Sequence, residues 1–534
     1  MPSPTDTQQE QSSLRTWLVS IAFLLSIAAA LYFLLYTIDF FVIAHRSKDL
    51  GFWQNFVKLS PGDSANVVGG MAEVLAAVLG IIVTVASIIV QLAATRYTPR
   101  ITDMFFRDRI NLSVISYYII AAIYCLWITY SIRAGGEDGA KHFVPVAGVL
   151  LNSLFMTGAL LLMAPYFAYV FRFLSPENVV RRIREQTVSH VEDVPRRQGN
   201  IRAQQEVVLE GVEQLADVAL NTIQNKDMII ASRSVDALRE LCVEYLGRKK
   251  ELPETWFSIG GKIAQNPDFV AVTEERRSDL TRQRTWLEYK VLRQYQMLYA
   301  EALNRMRDIN YLVAIDTRYV GEAAIRSGDR EVLQLAIKFF NTYIRATLNA
   351  RDIRTAYNVL NQYRILAEEV IKAGLNDVAE DVGNYFKYYG QVAFGMKVTF
   401  VTECVAYDLG ALNELAHKLG SGALPRLLKI LLEVDKEAEA EVQETSLRGV
   451  RKAQIKLATY FLQEGEEALA RQIFEDMRDE RPDRLRSIRA ELLAIDSKDF
   501  WEIVDRGENF DYLVPERKEK LHVFFGWFPK ETVE

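Results

Sequence analysis

Cysteine, histidine and excess positive charge are all scarce in this sequence of 534 residues. There are 3 cysteines and 5 histidines, and the formal net charge is −6. Cys125, Cys242 and Cys404 show no CxxC or zinc-like spacing, which excludes a disulfide scaffold and favours a reducing compartment. The negative net charge excludes a strongly basic nucleic-acid binder, so no nucleic-acid partner is expected.

The motifs that usually indicate an enzyme are missing as well. The sequence contains no P-loop, no GxGxxG, no HExxH and no GxSxG. No two of the dispersed histidines have the spacing of metal ligands. We therefore predict a non-enzyme with no catalytic residue, no metal and no cofactor.

The chain divides by charge and hydropathy into two parts. Up to Arg172 it is mostly apolar, whereas the remainder carries seven more acidic than basic residues. Four apolar stretches in the first part are long enough to span a bilayer, which takes about 20 helical residues. They lie at residues 17–41, 67–94, 112–132 and 143–171. The sequence thus predicts a transmembrane domain over 15–173, after a short tail at 1–14.

The first stretch resembles a signal peptide, because Arg15 precedes an apolar run that contains Ala28, Ala29 and Ala30. It is longer than the h-region of a signal peptide, which spans about 7–15 residues, so we interpret it as an uncleaved anchor. Lys and Arg are concentrated after the second and fourth stretches. This bias predicts that both termini and the large polar part face the cytoplasm.

The second stretch carries one stripe of small and polar residues on an otherwise apolar helix. The stripe consists of Gly70, Glu73, Ala77, Gly80, Thr84, Ser87 and Gln91. Polar groups are costly in hydrocarbon, so the stripe should not face lipid. It could serve tight helix packing, or it could line a pore if identical stripes from several protomers meet on one axis.

Arginines follow the second stretch. Arg96, Arg100, Arg107 and Arg109 lie where a short amphipathic helix is expected at the inner membrane interface. We predict that they contact lipid phosphates, although each of them also satisfies the ordinary positive-inside bias.

Residues 60–111 resemble the membrane core of a bacterial family called domain of unknown function 2254. The similarity is carried by Gln91-Leu92-Ala93, by Tyr97, Pro99 and Arg100, and by Phe106-Arg107-Asp108-Arg109 with Asn111. It departs from the family pattern at Ala94-Thr95-Arg96 and at Leu112, and it extends over roughly the first 300 residues. The resemblance implies a bacterial inner-membrane protein with four spans and a cytosolic domain, and it implies no established reaction.

The second part of the chain has helical periodicity. We predict a polar connector at 174–202, a first helical region at 203–282 with a short hairpin near Pro253–Pro267, and a helical-repeat domain at 283–500. Gly328, Gly374 and Gly420 are expected at helix ends. An aromatic-rich tail at 501–534 is expected to dock on its own core or on a sister protomer, and the alternative is a ligand cage.

The end of the repeat domain resembles a tetratricopeptide unit. Residues at the spacing of that unit are Leu457, Phe461, Gly465, Ala470, Phe474 and Pro482. This similarity favours an α-solenoid, and the alternative is a compact helical domain that closes the membrane part.

Together these features predict an all-α protein with a four-helix transmembrane domain and a solenoid-like cytoplasmic domain. Its expected role is an oligomeric, non-enzymatic scaffold or sensor that contacts membrane lipids and a cytosolic protein partner. The alternative is an oligomeric ion channel lined by the stripe of the second span.

Overall fold

The structure is a computed structural model. It describes residues 60–96, 101–132, 144–195, 201–435, 444–499, 506–507 and 509–529, together with Ser26, Ala30, Leu34 and Thr37. Every regular element within these residues is a helix, which confirms the predicted all-α class. The chain forms two compact units, Met1–Val179 and Val180–Glu534, which we call the first and second units.

The first unit contains four described helices. They are α1 (Pro61–Arg96), α2 (Ile101–Arg107), α3 (Arg109–Ser131) and α4 (Val146–Phe173). Helices α1, α3 and α4 are long and apolar enough to cross a membrane, as predicted for the second, third and fourth spans. The first predicted span, 17–41, lies outside the described residues except for Ser26, Ala30, Leu34 and Thr37, which are helical.

Helix α1 packs against α3 and α4 through one apolar face. Val68, Leu75, Ile82, Ala86 and Val90 recur at steps of four and seven, which places them on one side of the helix, and all five are buried. Large apolar side chains elsewhere on the helix remain exposed, as expected for a surface that meets lipid.

Most of the predicted polar connector at 174–202 is helical, because Pro176–Asp193 forms helix α5. Val180, Ile183 and Thr187 follow one another at steps of three and four and are all buried. Their apolar stripe was hidden in the sequence by the charged residues on the opposite face. Residues 196–200 of the predicted connector lie outside the described residues.

Helix α6 (Ile201–Gln224) approaches α5 so closely at Gly211 that a larger residue does not fit. A Cβ at this position would lie 1.9 Å from Thr187 Oγ1, and Thr187 is buried. We expect Gly211→Ala to lower the free energy of unfolding by about 1–3 kcal/mol, because overpacking forces the two helices apart. Hydrogen exchange of α5 peptides in the full-length protein measures this loss.

Gly247 provides the matched control for that substitution. It lies in helix α7 (Met228–Arg248), and no described atom comes within 4 Å of the position of its Cβ. Gly247→Ala should therefore stabilise the helix by up to about 1 kcal/mol through helix propensity alone. Equal protection of α5 in Gly211→Ala and in the wild type would contradict the close contact.

The second unit continues with a long series of helices. They are α8 (Gly261–Gln265), α9 (Pro267–Val270), α10 (Glu274–Arg282), α11 (Trp286–Arg305), α12 (Arg307–Ser327), α13 (Arg330–Asn349), α14 (Ile353–Lys372), α15 (Asn376–Gly395), α16 (Thr399–Lys418), α17 (Leu424–Leu432), α18 (Glu444–Gln463), α19 (Glu467–Asp476), α20 (Pro482–Ala494) and α21 (Pro515–Phe525).

These helices alternate between two layers. Layer A contains α7, α12, α14, α16 and α18, each packed against the next member, and layer B contains α6, α11, α13, α15 and α17 in the same manner. Each helix therefore contacts its sequence neighbour in the other layer or the following helix of its own layer. This is the arrangement of an α-solenoid, which the sequence predicted for 283–500.

The solenoid has a regular period that is visible in its backbone. Five successive turns contain one residue with a positive φ, and these residues are 23 positions apart: Gly328, Arg351, Gly374, Lys397 and Gly420. The predicted helix ends at the three glycines are thus confirmed. A helix and its turn take 23 residues, so a hairpin takes 46, compared with about 34 in a tetratricopeptide unit.

The residues between α7 and α11 leave the alternating pattern. The predicted short hairpin is wrong here, because Lys249–Glu251 and Glu254–Phe257 form 3₁₀ turns and α8–α10 are short helices. Pro253 and Pro267 interrupt the backbone hydrogen bonds and begin new turns instead of pairing strands. Trp256 from this segment is fully buried against Trp286.

The aromatic tail docks on the solenoid of its own chain. Phe524, Phe525 and Phe528 are buried, and the rings of Phe524, Trp527 and Phe528 surround Phe474 of α19. This bears out the first of the two predicted docking modes for the tail.

Candidate functional site

The predicted stripe lies on the face of α1 opposite to the face that packs against α3 and α4. Gly70, Glu73, Ala77, Gly80, Thr84 and Gln91 are exposed, and Ser87 is half-buried. No described atom lies within 4 Å of the Cβ position of Gly70 or Gly80, whereas a Cβ on Gly158 of α4 would come within 2.4 Å of Tyr117 Oη. The small residues of the stripe therefore do not serve the contact among α1, α3 and α4.

Asn152 joins the three described membrane helices. Its side chain is fully buried; its Oδ1 accepts from Cys125 Sγ at 2.7 Å, and its Nδ2 donates to Met71 Sδ at 3.4 Å. A polar side chain in an apolar helix needs such partners, because an unpaired amide is costly in hydrocarbon.

Two residues of the family-like motif hold the corner between α2 and α3. Asp108 caps α3 by accepting from the backbone N–H of Ile110, and it also accepts from Tyr169 Oη. Asn111 is buried, donates to Phe105 O at 3.2 Å and accepts from Tyr166 Oη at 2.6 Å. Both tyrosines belong to α4, so these polar residues have an architectural role.

The arginines beside them have a different environment. Arg107 and Arg109 are exposed, and their contact with lipid phosphates stays a prediction. Arg96 ends α1 but its side chain is not described, and Arg100 lies outside the described residues.

A charged cavity of about 550 Å³ lies on layer A of the second unit. Its walls come from α14, α16 and α18 and from the segment that contains Arg506, Phe510 and Arg517. Six cationic side chains line it: Arg364, Lys372, Lys418, Lys456, Arg506 and Arg517. Three lining carboxylates oppose them, those of Glu368, Asp408 and Glu414.

Asp408 is the most deeply buried of these carboxylates, with a side-chain exposure of 2%. Arg506 binds both of its oxygens, at 2.5 and 3.3 Å, and also donates to Tyr357 O at 2.7 Å. Arg364 adds a second cation, with Nε 3.4 Å from Asp408 Oδ1. Burial raises the pKa of Asp408 in spite of the two arginines, which lower it.

Glu414 organises the other side of the cavity. Arg517 donates to its two oxygens at 2.8 and 2.9 Å, while Lys418 approaches the same carboxylate at 3.8 Å. Both cations also lie over the Tyr460 ring, with centroid distances of 4.8 and 5.4 Å. The guanidinium of Arg517 is thus fixed in position before any ligand arrives.

The described residues of 506–517, which are 506–507 and 509–517, close one side of the cavity and are attached to the solenoid by side chains. The Phe510 ring stacks on Tyr407 at 4.8 Å, and Lys456 donates to Phe510 O at 2.7 Å. Tyr407 Oη and Lys452 both donate to the carboxylate of Asp511. The cavity therefore exists only because this late segment returns to α16 and α18.

Two carboxyl groups elsewhere in layer A titrate near neutrality. Burial, and then the neighbouring Asp511, raise the pKa of Glu403 to about 7. Burial, and then the neighbouring Asp236, raise the pKa of Asp316 to about 8. Arg239 Nε lies 3.1 Å from Asp316 Oδ1 but makes an ion pair without hydrogen-bond geometry. Since neither group belongs to the cavity lining, we assign both to the packing of the solenoid.

No group of three or more His, Cys, Asp or Glu side chains suited to a metal occurs among the described residues. All three cysteines are buried, and burial raises the thiol pKa of Cys242 and Cys404. Such thiols are poor nucleophiles at neutral pH. We therefore interpret these cysteines as packing residues of the protein core.

No pattern in the sequence predicted the cavity. Asp408 and Arg506 are 98 positions apart, and Glu414 and Arg517 are 103 positions apart. A single sequence contains no signal that pairs them. The only hint was the aromatic and basic character of the C-terminal tail.

Three apolar helices of membrane-spanning length, followed by a layered helical unit, define an integral membrane protein with a helical-repeat domain. Residues 14–249 match the family model described as a predicted membrane protein, DUF2254. This match confirms the resemblance identified from the residues around Arg107-Asp108-Arg109, and it covers less than half of the chain.

Other comparisons add little. No curated protein matches the chain. One solved structure, a circular tandem repeat protein with novel repeat topology and enhanced subunit contact surfaces, is similar at 19% identity and a TM-score of 0.28. The similarity covers 61% of this chain and 80% of that one.

Proposed function

We propose that the protein is a membrane-anchored, non-enzymatic binding protein, a sensor or scaffold whose second unit recognises its ligand or partner at the layer A cavity. The observation that carries the proposal is the cavity itself, because its arginines are held by the buried Asp408 and the half-buried Glu414 and line a space of ligand size. We place the protein in the bacterial inner membrane. The lysine and arginine bias around the spans supports a cytoplasmic location of its second unit.

The mechanism that we propose for binding is electrostatic. Ion pairs to Asp408 and Glu414 fix Arg506 and Arg517, so these side chains lose little conformational entropy when a ligand binds. Lys372 and Lys418 have side-chain exposures of 49% and 57%, so they can meet the ligand first. A cavity whose lining has a surplus of one sign of charge concentrates ligands of the opposite sign.

Reversal of these two exposed charges tests the proposal. We expect Lys372→Glu/Lys418→Glu to abolish cross-linking of the full-length protein to its specific partners in living cells. The two new carboxylates would repel a negatively charged ligand or partner at the mouth of the cavity. The measurement is quantitative mass spectrometry of partners enriched after in-cell cross-linking. The variant should fold, because both lysines are exposed and their pairs contribute little to stability.

Lys338 and Lys429 supply the matched control, since both are exposed and lie on layer B helices, α13 and α17. The Lys338→Glu/Lys429→Glu variant carries the same charge change and should retain the partners of the wild type. Identical partner sets for all three proteins would contradict a binding function at the cavity.

A second candidate function, an oligomeric ion channel, is favoured by the exposure of the α1 stripe. Glu73, Thr84 and Gln91 have polar side chains that lipid would not accommodate without cost. A ring of protomers with the stripes on its axis would remove that cost and form a polar pathway. Native mass spectrometry in lipid nanodiscs tests this candidate: a ring of four or more protomers supports it, and a monomer contradicts it.

A further inference from the structure

The layer A cavity is basic within an acidic part of the chain. Six cations and three carboxylates line it, whereas the residues after Arg172 carry an excess of seven acidic residues. Glu369 lies outside the lining and pairs with Lys372 at 2.8 Å. Even when its charge is included, the cations around the cavity outnumber the carboxylates. A local surplus of this sign in an acidic surrounding indicates an anionic ligand.

The arginines of the cavity retain hydrogen-bond donors. Arg506 is buried, with a side-chain exposure of 6%, and its Nε has no hydrogen-bond partner among the described residues. Arg517 uses Nε for Gln463 and one hydrogen from each terminal nitrogen for Glu414, so each terminal nitrogen keeps a second N–H group that has no partner among the described residues. Guanidinium groups match the oxygens of phosphate in both charge and geometry.

The size and walls of the cavity indicate that the anion is attached to a larger body. A volume of about 550 Å³ exceeds the need of a bare phosphate ion and falls in the range of small-molecule sites, about 300–1,000 Å³. The stacked rings of Tyr407 and Phe510 line the same space and offer an apolar surface.

We propose that the cavity binds a small organic phosphate through the Arg506 and Arg517 side, with Lys372 and Lys418 at the mouth. This inference rests on the proposed binding function and names the chemistry of its ligand. The same phosphate chemistry could come from a soluble metabolite or from a lipid headgroup, and the experiment distinguishes these sources.

The experiment is isothermal titration of the full-length protein, in phosphatidylcholine nanodiscs, with inorganic pyrophosphate as the probe. We expect saturable binding with a dissociation constant below about 1 mM and a loss of about tenfold or more in Lys372→Gln/Lys418→Gln. Lys338→Gln/Lys429→Gln should bind pyrophosphate like the wild type. Citrate, a tricarboxylate of similar charge, should bind more weakly than pyrophosphate.

Nanodiscs that contain phosphatidic acid identify the source of the phosphate. An unchanged affinity for pyrophosphate supports a soluble ligand, while competition by the lipid supports a headgroup at the same site. The absence of pyrophosphate binding up to about 10 mM, equal affinity in the cavity variant, or a preference for citrate would each overturn the phosphate proposal. If partner cross-linking still depends on Lys372 and Lys418 in that case, the proposed binding function stands without it.

Discussion

Lys249→Met is expected to destabilise the second unit by about 3–5 kcal/mol, because it leaves a buried charge without its partner. Lys249 Nζ donates to Glu288 Oε1 at 2.6 Å and to Asp329 Oδ2 at 2.7 Å. The Glu288 side chain is completely buried, and its Oε2 has no hydrogen-bond partner among the described residues. Methionine fills a similar volume, so the loss of charge dominates the effect.

The three residues of this cluster come from different parts of the solenoid. Lys249 follows α7, Glu288 lies in the first turn of α11, and Asp329 caps α13. The cluster therefore connects the first hairpin to the regular repeats across the inserted turns. Hydrogen exchange of α11 and α13 peptides in the full-length protein measures the expected loss.

Lys262→Met is the control for this substitution. Lys262 pairs with Glu206 at 3.0 Å, but its side chain is 63% exposed. Exposed ion pairs contribute about 0–1 kcal/mol to stability. The α11 peptides of the control should therefore be as well protected from hydrogen exchange as those of the wild type. Equal protection in Lys249→Met would show that Glu288 finds another partner or is protonated without cost.

Arg451→Met is expected to have a comparable effect at the other end of the solenoid. Arg451 of α18 lies within 3.1 Å of Asp435 and within 2.9 Å of both Asp476 and Glu480. The three carboxylates are at most 15% exposed. Removal of Arg451, which alone among the described cations joins all three, should cost about 3–5 kcal/mol near neutral pH.

The pH dependence of the Arg451→Met variant provides an independent check. Burial already raises the pKa of Asp435, and loss of Arg451, which lowers it, should raise it further. A carboxyl whose pKa is higher in the folded than in the unfolded state contributes most at low pH and loses that contribution as the pH rises. The deficit relative to the wild type should therefore be larger at pH 8 than at pH 5.

Arg471→Met is the control at this end, because Arg471 and its partner Glu467 are both more than half exposed. It should behave like the wild type at both pH values when α18 and α19 are followed by hydrogen exchange. A deficit in Arg451→Met that does not change with pH would contradict the assignment of the effect to unpaired carboxylates.

The helices of the repeat were predictable because their signals are local. Apolar residues at steps of three and four define each helix, and Gly328, Gly374 and Gly420 end every second one. The intervening ends are occupied by Arg351 and Lys397, which adopt the same left-handed conformation without the usual glycine. The helices of the solenoid could therefore be predicted from the sequence, whereas the 23-residue period could not, because glycine marks only every second turn.

The stripe of α1 was also predictable, since its members follow one another at a fixed helical spacing. Its position opposite the packed face was not, because sequence periodicity alone does not say which face meets α3 and α4. In the same way, the charged face of α5 concealed the buried side formed by Val180, Ile183 and Thr187.

The layer A cavity could not be predicted from the sequence, and the reason is different. Its ion pairs, Asp408 with Arg506 and Glu414 with Arg517, join residues about one hundred positions apart. They meet because the last segment of the chain folds back on α16 and α18. Such long-range pairing depends on the tertiary fold and leaves no periodic pattern in one sequence.

The most direct test of the proposed function is photo-cross-linking in cells from a single position in the cavity. A photoreactive phenylalanine analogue replaces Ala411, which lies on α16 in the cavity lining, and the control carries it at Lys338 on layer B. We expect a specific adduct from position 411 that disappears in the Lys372→Glu/Lys418→Glu background and is absent from position 338. The same adduct from both positions, or its persistence after charge reversal, would contradict a binding site in the cavity.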